Sequence, residues 1–95
     1  MYDTGMGAWE AGLAARFHPH ALNRMRERGV LRREVRQAII SAQPKPGPFG
    51  RTHFQKVFAI KGKWIKTRYH KKQIDAYATN ENDRWLVISV NVKYS

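Results

Sequence analysis

The chain has no cysteine, so neither a disulfide framework nor a thiolate metal site is open to it. Carboxylates are scarce, with seven Asp and Glu against eighteen Lys and Arg. That shortage argues against the converging acids of a two-metal nuclease and the paired acids of glycoside hydrolysis. No unbroken apolar run is longer than about four residues, too short for a membrane-spanning helix or the core of a signal peptide. Phosphate-cradling glycine loops, a serine-nucleophile motif and any self-similar repeat are missing too. Together these gaps turn the reading away from metal- and nucleotide-dependent catalysis, and no cofactor is expected.

What is present is a 95-residue chain, 42% hydrophobic with three Trp, enough for one domain with one small core. The formal net charge is +11. Such an excess makes a polyanion the expected partner, nucleic acid first, with anionic membrane and an acidic protein behind it. With no membrane-spanning run or signal-peptide core, the expected site of action is cytoplasmic and no membrane partner is expected. The charge is also unevenly placed. Between Glu34 and Asp75 there is no carboxylate, while Arg36, Lys45, Arg51, Lys56, Lys61, Lys63, Lys66, Arg68, Lys71 and Lys72 all fall there. A second cluster, Arg24, Arg26, Arg28, Arg32, Arg33 and Arg36, is offset only by Glu27 and Glu34. Solubilising surfaces normally mix both signs, and self-repulsion on this scale disfavours folding unless an anion relieves it.

Residues 1–15 are Gly- and Ala-rich and read as a flexible lead-in to a single domain over 16–95. Pro19 suits a first helical position and Gly29 a C-terminal stop, which predicts a helix between them. Ala21, Leu22 and Met25 fall on its core side, and His20, Arg24 and Arg28 form a stripe at its edge. A second helix is predicted from about Leu31 or Arg32 to Ser41, with Val35, Ala38 and Ile39 inward. Arg32 and Arg33 occupy its first turn, where the helix dipole favours acids, so a bound anion would compensate them. The run Gln43 to Gly50, with three Pro and two Gly, predicts a loop.

Beyond it the alternation predicts strands over 53–60, 64–69, 73–79 and 84–94, with a turn at 80–83. In the second of these, Trp64, Lys66, Arg68 and His70 share one face, and Ile65, Thr67 and Tyr69 the other. In the last, Leu86, Ile88, Val90 and Val92 oppose Trp85, Val87, Ser89, Asn91 and Lys93. The order ααββββ predicts an α+β fold, two N-terminal helices packed on a four-stranded antiparallel sheet.

His, Lys, Arg, Tyr and Ser suffice for cutting RNA, because the substrate's own 2′-OH is the nucleophile. A histidine moves protons near neutral pH, and Arg and Lys hold the phosphate as its charge grows. The His20/Arg24/Arg28 stripe and the Lys66/Arg68/His70 face would supply these groups if they converge. The alternative is an ordinary solvated helix face. Tyr69 and Trp64 among Lys71, Lys72 and their neighbours would equally serve a non-catalytic module that stacks bases and tracks phosphates, or simply fill the core.

The run Phe17-His18-Pro19-His20-Ala21-Leu22-Asn23-Arg24-Met25-Arg26-Glu27-Arg28-Gly29-Val30, with Val87-Ile88-Ser89-Val90 near the end, resembles a widespread prokaryotic family of small domains of unknown function. That family looks like part of the fold group uniting barnase, RelE-like and colicin-type ribonuclease toxins. The resemblance covers about Arg16 to Tyr94. It implies metal-independent endoribonuclease activity, with His20, Arg24, Arg28 and Ser89 at the active site. It also implies an RNA substrate and an acidic antitoxin or immunity protein as neutralising partner. Some relatives of the fold act on protein targets instead. Leu31-Arg32-Arg33 departs from the family's acidic opening of the second helix. His70 joins the expected catalytic set and Lys66 and Arg68 the expected RNA contacts from the facing argument and not from the motif; Arg32 and Arg33 join those contacts from the helix-dipole argument, and Tyr69, Lys71 and Lys72 as stacking and phosphate-tracking groups.

Overall fold

The computed structural model describes residues 12–60 and 69–95. In chain order it contains β1 (Arg16–Phe17), α1 (Pro19–Arg28), α2 (Arg32–Ser41), β2 (Lys45–Pro46), β3 (Thr52–Ala59), β4 (Lys71–Glu81) and β5 (Arg84–Tyr94). The α+β class and the two helices agree with the expectation. The sheet does not: it has five strands in the order β1-β5-β4-β3-β2 and is mixed, because β1 runs parallel to β5.

Both helices begin and end where local chemistry dictates. The His18 Nδ1 accepts the His20 N–H at 3.0 Å, capping α1 just ahead of Pro19. Gly29 ends it at φ 70°, a conformation that costs a side chain but not glycine. Glu34 offsets the two arginines that open α2, because its Oε1 accepts the Leu31 N–H at 2.9 Å.

Three differences in the sheet have identifiable causes. The expected strand over 64–69 lies outside the described residues except for Tyr69, which is not in a strand. β3 pairs directly with β4 over eight residue pairs from Thr52↔Ala78 to Ala59↔Lys71, so no strand intervenes. The proline-rich run, expected as loop, contributes β2 as a two-residue edge strand, the one sheet position that tolerates Pro46. And the register of β4 with β5 shifts between Tyr77 and Ala78, which leaves Ile88 as the extra residue of a bulge. The bulge reverses the expected facing of residues 84–87: Val87 is buried with Val90, and Trp85 packs edge-on against Phe54 at 5.1 Å. Asn82 and Asp83, at φ 52° and 63°, form the two-residue turn that closes this hairpin.

The last residues of the expected lead-in, 12–15, are among those described. Gly12 and Ala15 are buried, and β1 ties the chain to Leu86 and Val87. A Cβ on Gly12 would collide with Ile40, so this approach requires glycine.

One face of the sheet receives both helices. Ala21 and Met25 of α1 and Val35, Ala38 and Ile39 of α2 bury against Phe54, Ile74, Ala76, Ala78, Val87 and Val90. Alanines at 21, 38, 76 and 78, all fully buried, allow a close helix-to-sheet approach. The buried Phe54 alone contributes about 2–3 kcal/mol by removal from water. At the far end of α1, Lys72 Nζ donates to the Gly29 carbonyl at 2.6 Å and to Glu34 at 2.9 Å, and the Tyr94 hydroxyl donates to the Arg28 carbonyl at 3.0 Å. These bonds hold the helical hairpin onto the sheet. Among the described residues no helix is long and apolar enough to cross a membrane.

Candidate active site on the sheet face opposite the helices

Strand alternation sends every second residue to the face away from α1 and α2. There the register builds a polar grid. Lys45, His53, Tyr77 and Ser89 stand in one row across β2, β3, β4 and β5. Gln55, Asp75 and Asn91 form the next row, and Val57, Gln73 and Lys93 the one after.

Asp75 is the hub of that grid. Its Oδ1 lies 2.7 Å from His53 Nε2 and accepts Gln55 Nε2 at 2.9 Å, and its Oδ2 accepts Gln73 Nε2 at 3.0 Å. The His53 and Asp75 side chains are only 19% and 13% exposed, so their attraction is less screened than on an open surface. Burial pushes the Asp75 carboxyl up, but hydrogen bonds from Gln73, Gln55 and His53, with the charge of His53, outweigh it and hold the group below the ordinary aspartate value.

An ionised Asp75 accepts only, so Nε2 of His53 must carry its proton. In the neutral imidazole that makes Nδ1 the basic nitrogen. Among the described residues Nδ1 has no hydrogen-bond partner. Tyr77 stacks on the His53 ring with centroids 4.6 Å apart and planes 12° from parallel. Burial, then the charge of Asp75, raises the Tyr77 pKa, so its hydroxyl stays protonated and serves as a donor. The arrangement is an oriented base, a neutral proton donor beside it and an exposed cation, Lys45, at the end of the row.

The residues singled out from sequence are split by the fold. Ser89 belongs to this row, directly across from Tyr77. His20, Arg24 and Arg28 do not, because α1 packs on the other face. His20 and Arg28 are exposed, whereas Arg24 is half-buried, its Nε without a hydrogen-bond partner among the described residues. Arg36 Nε is likewise buried and unpartnered, with its guanidinium 5.2 Å from the Phe17 ring centroid.

The anticipated meeting of His20 with His70 does not occur. The chain enters α1 with the His18 N–H on Val87, and α1 ends with the Arg28 carbonyl bound by Tyr94, next to Ser95, whose carbonyl accepts the His70 N–H. His20 thus stands in the first turn of α1, whereas the His70 backbone is tied to the C-terminal end of β5. Lys72 faces the helices and is engaged there, while Lys71 is exposed. Tyr69 packs against Tyr94 with centroids 5.7 Å apart. Arg32 lines a depression with Leu22, Met25 and Leu31, and Arg33 borders another beside Phe58. Lys66 and Arg68 lie outside the described residues.

Sequence reasoning missed His53, Asp75 and Tyr77. The available signal was Asp75 itself, the first carboxylate after a long basic stretch. Among the described residues no three His, Asp or Glu side chains gather in a metal-holding cluster. No family model, curated protein or solved structure matches the chain.

Proposed function

We propose that the protein cleaves RNA without a metal ion, at the sheet face that carries His53, Asp75 and Tyr77. The observation that carries this reading is the 2.7 Å contact between His53 and Asp75, which fixes the imidazole in the tautomer a general base requires. The strongly basic chain supplies the attraction for a polyanion, and Lys45 the local charge for a phosphate. Nδ1 of His53 takes the 2′-OH proton as that oxygen attacks phosphorus. The bond from phosphorus to the 5′ oxygen breaks, and the departing oxygen takes the Tyr77 hydroxyl proton. Solvent then carries the proton from His53 back to the tyrosinate, leaving a 2′,3′-cyclic phosphate. Ser89, across from Tyr77, orients the phosphate. The polar face supports the resemblance to metal-independent ribonucleases but moves the base from His20 to His53.

The test is incubation with RNA in EDTA, beside the same RNA carrying 2′-O-methyl groups. Cleavage of the first and not the second is expected. Cleavage of both would exclude the 2′-OH as nucleophile, and cleavage of neither would remove the assignment.

A further inference from the structure

We infer that Phe49 and Arg51 form a stacking subsite for an unpaired nucleobase of single-stranded RNA, next to the catalytic row. This rests on the ribonuclease reading for its substrate. Single exposed hydrophobic residues are common and need no explanation by themselves. Phe49 differs in three respects.

The residue is 89% exposed, so it contributes almost nothing to the core. Its backbone is left-handed at φ 59° and ψ 34°, a conformation that a bulky residue adopts rarely and at a cost. The neighbouring Gly50 is left-handed as well, at φ 72°. A sequence selected for folding alone would place Gly or Asn at position 49. Finally, the Arg51 guanidinium carbon lies over the ring, 5.7 Å from its centroid. One ring face is thus backed by a cation, and the other is open for a base, in the pairing of aromatic and positive groups that binds single strands.

The turn is fastened beside the catalytic row. Gly47 N–H donates to the Arg51 carbonyl at 2.7 Å, and Arg51 N–H to the Pro48 carbonyl at 3.2 Å. A Cβ placed on Gly47 would lie 3.1 Å from the Arg51 carbonyl oxygen, 3.3 Å from Tyr77 Cδ1 and 3.5 Å from His53 Cβ. The turn therefore rests directly on the His53–Tyr77 stack. Four residues of chain confine Phe49 to within about 14 Å of His53, the distance of a base flanking the scissile phosphate. A base held there aligns the next phosphate with His53, and only an unpaired base has a free face to offer.

The experiment is fluorescence anisotropy with a 2′-O-methyl oligonucleotide, which is not cleaved, and a set in which one abasic step is moved along it. Wild type should lose roughly tenfold in affinity when the abasic step reaches the subsite. Phe49→Ala should bind the intact strand roughly tenfold more weakly and show no such dependence, and Phe49→Trp should restore it. Equal binding of the intact strand by wild type and Phe49→Ala overturns the subsite, as does an unchanged abasic penalty in Phe49→Ala. A base-dependent subsite in a protein that cuts no RNA upholds this inference while the ribonuclease reading falls.

Discussion

Asp75 lies diagonally across the β3–β4 ladder from His53 and holds its Nε2 at 2.7 Å, while Gln55 and Gln73 occupy the rest of the carboxylate. The carboxylate is therefore fixed, and among the described residues the imidazole is the titratable group hydrogen-bonded to it. Because its folded pKa is lowered, Asp75 adds stability that is fully present above the ordinary aspartate value of about 3.9 and is lost as pH falls through the lower folded value. Asp75→Asn should lower the unfolding free energy at pH 7 by about 1–2 kcal/mol, a range reduced for partial exposure. It should also flatten the acid limb of the urea-denaturation profile below about pH 4. An acid limb identical to wild type would contradict this.

Lys72 illustrates a basic residue whose work is internal. Its ammonium bridges Glu34 and the Gly29 carbonyl, with the side chain only 13% exposed. Lys72→Met should destabilise the fold by about 2 kcal/mol, less than a fully buried pair, and leave RNA affinity unchanged. Denaturation and binding measured on one preparation separate these effects. A large loss of affinity at wild-type stability would restore Lys72 as an RNA contact.

The two sheet faces make opposite predictions for the residues first suspected. His20→Ala and Arg28→Ala remove exposed groups on the helix side and should leave kcat/KM near wild type. Lys45→Ala should lower it about tenfold through loss of phosphate stabilisation at an exposed position. A collapse of activity in His20→Ala with Lys45→Ala unaffected would move the active site to α1.

Phe49→Gly relieves a left-handed phenylalanine that buries almost nothing, so its melting temperature should equal or exceed that of wild type. A drop in melting temperature would mean that the ring packs more than its exposure shows.

How much of this was legible follows from what each feature depends on. Pro19 and Gly29 bracket α1 because helix ends are set by local chemistry that a sequence displays. The inward faces of both helices follow from their periodicity. The bulge at Ile88 left no trace, since residues 85–88 are apolar on either parity and no alternation betrays the slip. The candidate site was hidden for a related reason. His53 and Asp75 are 22 residues apart and meet only because β3 pairs directly with β4. The expected strand over 64–69 would have stood between them. Ser89 entered through resemblance and shares the row of His53 and Tyr77, whereas His20, drawn from the same motif, lies on the helix side of the sheet.

The central claim is that His53 is the base in RNA cleavage, and its most direct test is the single-turnover rate on an oligonucleotide containing one ribonucleotide, in EDTA, for wild type and His53→Ala. Removal of a positioned general base should slow cyclic-phosphate formation by about 10²–10⁴-fold while binding of the uncleavable 2′-O-methyl analogue stays at wild-type strength. Cleavage by His53→Ala at the wild-type rate would contradict the account.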